Sequence, residues 1–252
     1  MNKDKDKISV IVPVFNESES INFLIDEIKN VMFLNKLNYE IIVVNDGSRD
    51  STYSVLKDLS HKCDELIVIN LRKNYGQTAA LAAGFDNASG QIVIALDGDL
   101  QNDPNDIPKL INEINKGYDL VCGWRFNRKD KLLDRRIPSK IANKIIGLVT
   151  GIYLHDYGCS LKAFRKELIE DIKLYGELHR FIPVLADNEG AKIKEVKVNH
   201  RNRQYGSSKY GIDRTFRVLM DLLTVWFMNK FLTRPMYVFG FIGIISIISS
   251  LL

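Results

Sequence analysis

Asp97 and Asp99 are separated by a single glycine, Gly98, and the amide of Gln101 follows two positions later. In extended chain, side chains at positions i and i+2 point the same way, so both carboxylates can face one ligand, while Gly98 lets a bulky group approach the backbone. Carboxylate and amide oxygens suit Mg²⁺ or Mn²⁺, and such a cation keeps water molecules that a diphosphate can replace. The same aspartates could instead form a turn and an N-cap, and an isolated D-x-D motif favours that simpler interpretation.

Three further polar segments follow apolar runs, and they contain Asn16 and Glu17, Asn45 to Ser48, and Asn74 to Gln77. The Asp46-Gly47 pair predicts a turn, and whether the Asp46 carboxylate also meets a ligand stays open. Glu17 is equally well explained as a first-turn acid favoured by the helix dipole. The sequence contains neither G-x-G-x-x-G nor G-x-x-x-x-G-K-[ST], which argues against a Rossmann dinucleotide site or a P-loop.

Alternating strand and helix patterns must position these residues. Short β-rich apolar runs alternate with apolar residues at helical spacing, which predicts a parallel sheet covered by helices on both faces. Ligands of such sheets bind at the carboxyl ends of the strands, so the polar segments should converge at one edge. The predicted strands are Ile8–Pro13, Glu40–Val44, Leu66–Ile69, Gln91–Leu96, Asp119–Cys122 and Lys192–Val198.

The composition excludes several other classes of protein. The 252 residues are 46% apolar and 26% charged, which is typical of one large or two small globular domains and not of disorder, collagen or a small disulfide scaffold. A net charge of +4 gives no argument for nucleic acid as a partner. Three scattered cysteines predict reduced thiols without a disulfide or zinc. The charged residues 1–7 lead directly into a strand, so we expect no signal peptide.

The C-terminal part has a different composition from the rest. Residues 236–252 contain no charge and predict a transmembrane segment, although a full span needs about 20 apolar residues; it would be thin, tilted or the first part of a longer membrane region. Residues 213–235 mix aromatic and basic side chains, as in an amphipathic juxtamembrane helix, leaving 1–212 as the catalytic domain on the cytoplasmic side of the cell membrane. A pair of C-terminal core helices, or a homo-oligomer interface in the amphipathic region, is the alternative.

Four ordered segments resemble glycosyltransferase family 2, in the polyprenyl-phosphate branch that includes dolichol-phosphate mannosyltransferase and bactoprenol-phosphate glucosyltransferases. They are Ser9–Glu17, Val44–Ser48, Asn74–Ala80 and Leu96–Gln101. The resemblance implies a GT-A fold that binds a UDP- or GDP-hexose and transfers the hexose to a polyprenyl phosphate. It also implies that Asp97, Asp99 and Gln101 hold Mg²⁺ or Mn²⁺, and that the donor is lined by Pro13, Phe15, Glu17, Asp46 and Gly98. Asn45 departs from the family, in which many members carry aspartate.

Basic residues downstream predict the acceptor site. Arg125 lies shortly after the end of a predicted strand, and Arg135 and Ser139 are four apart and so share one helix face. Arg203 and Lys209 belong to a segment that resembles the family's R-x-x-G-x-S-K loop near the acceptor phosphate. The hypothesis is that these five residues hold the phosphate while its tail lies in the bilayer. The phosphate, with a second pKa of about 6, would then attack the anomeric carbon in one inverting displacement without a strong base.

Asp156 is the remaining candidate catalytic carboxylate beside Asp97 and Asp99, because its segment resembles one that the family places near the acceptor. It could orient the phosphate, take a proton or pair structurally with Arg165. His179 is predicted to be a structural hydrogen-bonding residue. Competing functions are transfer to a hydroxyl of a polysaccharide or glycolipid, which would require a base, and a non-enzymatic membrane adaptor; a nucleotidyltransferase fits the basic segments poorly.

Overall fold

The computed structural model describes residues 7–126, 137–205, 213–231 and 235–251. Seven strands within these ranges form one sheet in the order β3-β2-β1-β4-β6-β5-β7. The strands are β1 (Lys7–Val14), β2 (Asn38–Asn45), β3 (Leu66–Asn70), β4 (Ile92–Ala95), β5 (Leu120–Arg125), β6 (Lys162–Arg165) and β7 (Ile193–Val198). The helices are α1 (Ile21–Leu34), α2 (Thr52–Ser60), α3 (Gln77–Asp86), α4 (Ile107–Asn115), α5 (Ile137–Thr150), α6 (Lys166–Asp171), α7 (Ile182–Asn188), α8 (Asp213–Phe231) and α9 (Met236–Leu251).

The sheet is parallel except for β6, which runs antiparallel between β4 and β5. The sequence analysis did not predict β6, because its four residues carry a charge at each end. The reversal has a consequence for the site. Lys162, the first residue of β6, pairs with Ala95 near the end of β4 and with Cys122 of β5. The segment that precedes β6 is therefore delivered to the edge where the parallel strands end.

Two cores cover the sheet, one on each face. Val10 and Val12 of β1 belong to a core that includes side chains of α1, α2 and α4, while Ile11 belongs to a second core that includes side chains of α3, α6 and α7. Alternate residues of a strand point to opposite faces, so a strand that is apolar at every position must be buried on both. The predicted α/β fold with a mostly parallel central sheet and helices on both faces is confirmed.

A third cluster attaches α8 to the sheet domain. Leu222 and Val225 of α8 pack with Ile146 of α5 and with Phe181. Other apolar side chains of α8 are exposed, and they are Met220, Leu223 and Trp226. The predicted amphipathic region thus has one face against protein and a second apolar face in solvent.

The helix α9 contains 16 residues, and no side chain described in it is buried. It contacts α8 where the rings of Phe227 and Phe239 lie 5.8 Å apart. Among the described helices, none has both the length and the apolar character needed to span a bilayer. The transmembrane segment predicted at 236–252 is not confirmed.

Candidate active site

The Asp97-Gly98-Asp99 segment follows β4 at the carboxyl edge of the sheet. Leu100 has a positive φ of 61°, and the turn is closed by Asp99, whose Oδ1 accepts a hydrogen bond from the Gln101 N–H at 3.1 Å. Asp97 Oδ1 accepts a hydrogen bond from Gln77 Nε2 at 2.7 Å. Desolvation and the neighbouring Asp99 charge raise the pKa of Asp97 to about 6, against the opposing effects of Ser160, Lys162 and Arg125.

These residues fit a divalent cation. Their oxygens are hard donors of the kind that Mg²⁺ and Mn²⁺ take, and the raised pKa of Asp97 reflects burial of its carboxyl group together with the neighbouring charge of Asp99. The positively charged guanidinium of Arg203 already contacts Asp99, with Arg203 Nη2 donating to Asp99 Oδ2 at 2.5 Å. Among the residues that the structure describes, no group of three or more His, Cys, Asp or Glu could hold a metal.

Gly98 is required by packing. A Cβ at this position would lie 2.6 Å from Val14 Cγ1, which is too close unless Val14 or the loop shifts. The Gly98 carbonyl accepts a hydrogen bond from the buried Ser20 hydroxyl at 2.9 Å, and the same hydroxyl lies 3.0 Å from Glu17 Oε2. The contact with Val14 is one reason for a glycine at this position, and the approach of a ligand to its backbone stays a prediction.

Asp46 shapes the loop that leads into α3. Its Oδ1 accepts a hydrogen bond from the Tyr75 N–H at 2.7 Å and its Oδ2 accepts one from the Gly76 N–H at 2.8 Å. Gly76 has a positive φ of 95°, a conformation that suits glycine. Desolvation raises the pKa of Asp46, and these two hydrogen bonds partly offset it. The Asp46 carboxylate therefore stabilises the conformation of the loop before α3.

Asn45 is explained by its neighbours on β2 and β3. Its Nδ2 donates to Asn70 Oδ1 at 2.6 Å, and its Oδ1 accepts from the Ser48 hydroxyl at 2.5 Å. An aspartate could not donate to Asn70. The departure from the usual family residue thus goes with an amide partner on the adjacent strand.

The other predicted donor residues reach the same edge. Pro13 pairs with Val44 across β1 and β2, which places Phe15 and Glu17 in the loop just beyond. The Glu17 N–H donates to Thr52 Oγ1 at 2.9 Å, which ties this loop to the start of α2. Pro13, near the end of β1, and Phe15, Glu17 and Asp46, in the loops that follow β1 and β2, therefore lie at the same edge.

Asp156 forms its ion pair with Arg125, the last residue of β5. Asp156 Oδ2 lies 2.6 Å from Nε and Oδ1 lies 2.9 Å from Nη2, and the carboxylate is buried. Arg165, the partner considered in the sequence analysis, instead contacts Asp119 at 3.4 Å. The interpretation of Asp156 as a partner of Arg165 was wrong. Arg125, predicted to bind the acceptor phosphate, is held in place by Asp156.

Sequence reasoning missed three contributors to this edge. Lys162 is buried and donates through Nζ to the Cys159 carbonyl, and its charge helps to lower the pKa of Asp97 against the desolvation that raises it. The Ser160 hydroxyl accepts from Asn102 Nδ2 at 2.7 Å. Glu195 accepts from the Asp156 N–H at 3.1 Å. For Lys162, the sequence did offer a signal, because a lysine between two apolar residues, Leu161 and Ala163, is a candidate for burial.

The segment at 199–205 lies along the Asp99 loop. The Arg201 N–H donates to the Gln101 carbonyl at 2.9 Å, and its guanidinium pairs with Glu27 and Asp103, each at 2.7 Å. Burial alone would lower the pKa of Arg201, but these two carboxylates raise it. This anchored segment carries Arg203 to Asp99.

The structure does not describe every predicted acceptor residue. Arg135 and Lys209 lie outside the described residues, and Ser139 falls in α5 where only the backbone is described. His179 forms a hydrogen bond with Thr78, with Nδ1 2.8 Å from the Thr78 hydroxyl, so its predicted structural role is confirmed.

Comparison with known proteins identifies the family. Residues 9–173 match the model for Glycosyl transferase family 2. The chain is 46% identical over 242 residues to a dodecaprenyl-phosphate galacturonate synthase of Rhizobium johnstonii, which covers 94% of this chain and 72% of that protein. It is 40% identical over 225 residues to an undecaprenyl-phosphate 4-deoxy-4-formamido-L-arabinose transferase of Yersinia pestis, covering 89% and 68%. The chain belongs to glycosyltransferase family 2.

Solved structures show the fold of this family 2 glycosyltransferase. Glucosyl-3-phosphoglycerate synthase from Mycobacterium tuberculosis, in a complex with Mn²⁺ and UDP-glucose, matches with a TM-score of 0.68 and 19% identity, covering 90% of this chain and 80% of that one. The same enzyme with Mn²⁺, UDP and glucosyl-3-phosphoglycerate gives a TM-score of 0.69 at 19% identity, covering 90% and 81%. The similarity confirms the GT-A-like fold, and the family predicted from the four motif segments is also confirmed.

Proposed function

We propose that this family 2 glycosyltransferase transfers a hexose or a related sugar from a nucleotide-diphospho-sugar to a polyprenyl phosphate, at the membrane and with inversion. The observation that carries the proposal is the Arg125–Asp156 pair beside the Asp97–Asp99 carboxylates. Asp156 is engaged through both oxygens by Arg125, so it is poorly placed to take a proton. A site that offers cations but no base at this position suits an acceptor that is already an anion. The names of the two relatives above support the same acceptor.

The donor side is assigned to the loops after β1, β2 and β4. In this proposal Pro13, Phe15, Glu17, Asp46 and Gly98 line the nucleotide-sugar, UDP- or GDP-linked, and Asp97, Asp99 and Gln101 hold Mg²⁺ or Mn²⁺. The cation, when bound, stabilises the negative charge that gathers on the departing nucleoside diphosphate. Gln77 orients Asp97 through the 2.7 Å hydrogen bond.

The acceptor side is assigned to Arg125, Arg203, Arg135, Ser139 and Lys209. A guanidinium pairs with phosphate oxygens in a bidentate geometry, and Asp156 fixes the plane of the Arg125 guanidinium. A phosphate monoester has a second pKa of about 6, so near pH 7 it is largely dianionic. One of its oxygens forms the bond to the anomeric carbon while the bond from that carbon to the diphosphate oxygen breaks. No proton needs to be removed in this step.

The membrane assignment rests on exposed apolar side chains in the C-terminal half. Those of α5 and α8 include Ile145, Leu148, Leu223 and Trp226, and those of α9 include Phe239, Ile244 and Ile248. Exposed apolar surface of this extent marks a site of association. We assign it to the lipid bilayer, with the domain of residues 1–212 on the cytoplasmic face, 213–235 at the bilayer surface and 236–252 in the bilayer.

The proposal is tested with the purified chain in vesicles, a panel of UDP- and GDP-linked hexoses and uronic acids, and undecaprenyl phosphate. Undecaprenol without phosphate is the matched acceptor. We expect a polyprenyl-phosphate sugar that disappears with EDTA and returns with Mn²⁺ or Mg²⁺, and no product from undecaprenol. Transfer to a polysaccharide or glycolipid hydroxyl but not to undecaprenyl phosphate would establish the competing function.

A further inference from the structure

Arg203 donates a hydrogen bond to the Asp99 oxygen that does not accept the Gln101 N–H. Asp99 Oδ1 already accepts the Gln101 N–H, and Oδ2 lies 2.5 Å from Arg203 Nη2. Each oxygen therefore has one of these partners. Of the two, only the guanidinium can leave without opening the turn at Leu100, so it is the partner that a cation binding Asp99 would displace.

The backbone around Arg203 is fixed on both sides. Arg201 is clamped by Glu27 and Asp103, and the ring of Tyr205 stacks on Phe23 with centroids 6.0 Å apart and planes 1° from parallel. The guanidinium can leave Asp99 by rotation of its own side chain while the backbone stays in place.

The charges favour such an exchange. Arg203 brings one positive charge to Asp99, whereas a divalent cation brings twice that charge and arrives with a diphosphate. A guanidinium released from Asp99 loses its carboxylate and is suited to bind a phosphate in the same bidentate geometry. Arg203 then has two successive partners, both within the proposed active site.

We propose that Arg203 is an exchangeable counter-ion of Asp99, which leaves that carboxylate when a divalent cation and donor bind and then binds the acceptor phosphate. The inference rests on the proposed function and adds a coupling to it: the release of Arg203 from Asp99 links the metal site to the acceptor phosphate. By linkage, loading of the metal site and binding of the acceptor phosphate must strengthen each other by the same factor.

The test measures the binding of geranyl phosphate, a short acceptor mimic, by calorimetry. In EDTA we expect weak binding to wild type, and binding about 5- to 10-fold tighter to Asp99→Asn, which holds Arg203 less strongly. The double variant Asp99→Asn, Arg203→Gln should lose this gain. If the gain is absent from the single variant, or persists in the double variant, the exchange is rejected. Asp119→Asn, which removes the carboxylate partner of Arg165, is the matched control and should bind as wild type does.

A second measurement follows Mn²⁺ alone by electron paramagnetic resonance. Arg203→Gln should bind Mn²⁺ about 3- to 10-fold tighter than wild type if the arginine competes with the metal, whereas weaker binding would indicate a permanent supporting role and reject the exchange. Thermal unfolding establishes that each variant is folded. Wild-type product formation combined with no gain in Asp99→Asn rejects the exchange alone; no transfer to undecaprenyl phosphate rejects the proposed function.

Discussion

Asp156 holds the guanidinium of Arg125 through two hydrogen bonds, at 2.6 Å to Nε and 2.9 Å to Nη2. The pair joins the end of β5 to the segment before β6, two parts of the chain that are 31 residues apart. The buried carboxylate of Asp156 thereby positions the guanidinium of Arg125 next to the proposed acceptor site.

Asp156→Asn separates this role from that of a general base. The amide keeps the size of the side chain but weakens the hold on Arg125, so we expect kcat/KM for undecaprenyl phosphate to fall about 10- to 100-fold through misplacement. The shape of the pH profile should stay as in wild type. Loss of the acidic limb in steady-state assays across pH 5 to 8 would instead identify Asp156 as the base.

Glu195 should matter through the backbone of Asp156. Its carboxylate accepts the N–H groups of His155 at 2.9 Å and Asp156 at 3.1 Å. Glu195→Ala leaves these donors without their acceptor, and we expect the free energy of unfolding to fall by about 1–3 kcal/mol with a raised KM for the acceptor. Denaturant unfolding and acceptor titrations measure both effects. Glu170→Ala, which removes an exposed partner of Lys166 at 3.9 Å, is the control and should change neither.

The parallel strands could be predicted because each is a continuous apolar run between helical patterns. The strand β6 could not, since only Ala163 and Phe164 separate its charged ends, and its burial depends on β4 and β5. The motifs at the carboxyl edge could be predicted along with the strands, because their polar residues come directly after the strands in the sequence.

The partners of the site residues could not be predicted, because they come from distant parts of the chain. Arg203 is 104 residues from Asp99, and nothing in the local sequence of either selects the other. Gly98 gives a similar lesson. The sequence predicted room for a ligand there, but it gave no sign of the contact with Val14 on β1 that also disfavours a side chain.

Gly98→Ala tests that contact. Overpacking against Val14 Cγ1 at 2.6 Å should lower the free energy of unfolding by about 1–3 kcal/mol. Val14→Ala removes the clashing atom, so the double variant should be more stable than the sum of the two single effects predicts. Gly243→Ala in α9, where a Cβ meets nothing within 4 Å, is the control. Additive effects in denaturant unfolding would show that Val14 is not the reason for the glycine.

The raised pKa of Asp97 gives the metal-free protein a specific pH dependence. The folded state holds this proton up to a pKa of about 6, above the ordinary value of 3.8, so it binds more protons than the unfolded state between these values. The free energy of unfolding should therefore fall as pH rises from about 4 to about 6. Mn²⁺ must displace the same proton, so its affinity should rise over this range and level off above it.

Asp97→Asn isolates this contribution, because an amide has no proton to lose. In EDTA the variant should lack the decline attributed to Asp97 and be more stable than wild type at pH 7, where wild type holds two neighbouring charges. Asp58→Asn, at an exposed position of α2, should keep the wild-type pH dependence. Thermal unfolding from pH 4 to pH 8 measures all three proteins. An unchanged slope in Asp97→Asn would mean that another group titrates, since desolvation and the Asp99 charge act on Asp97 only while it can ionise.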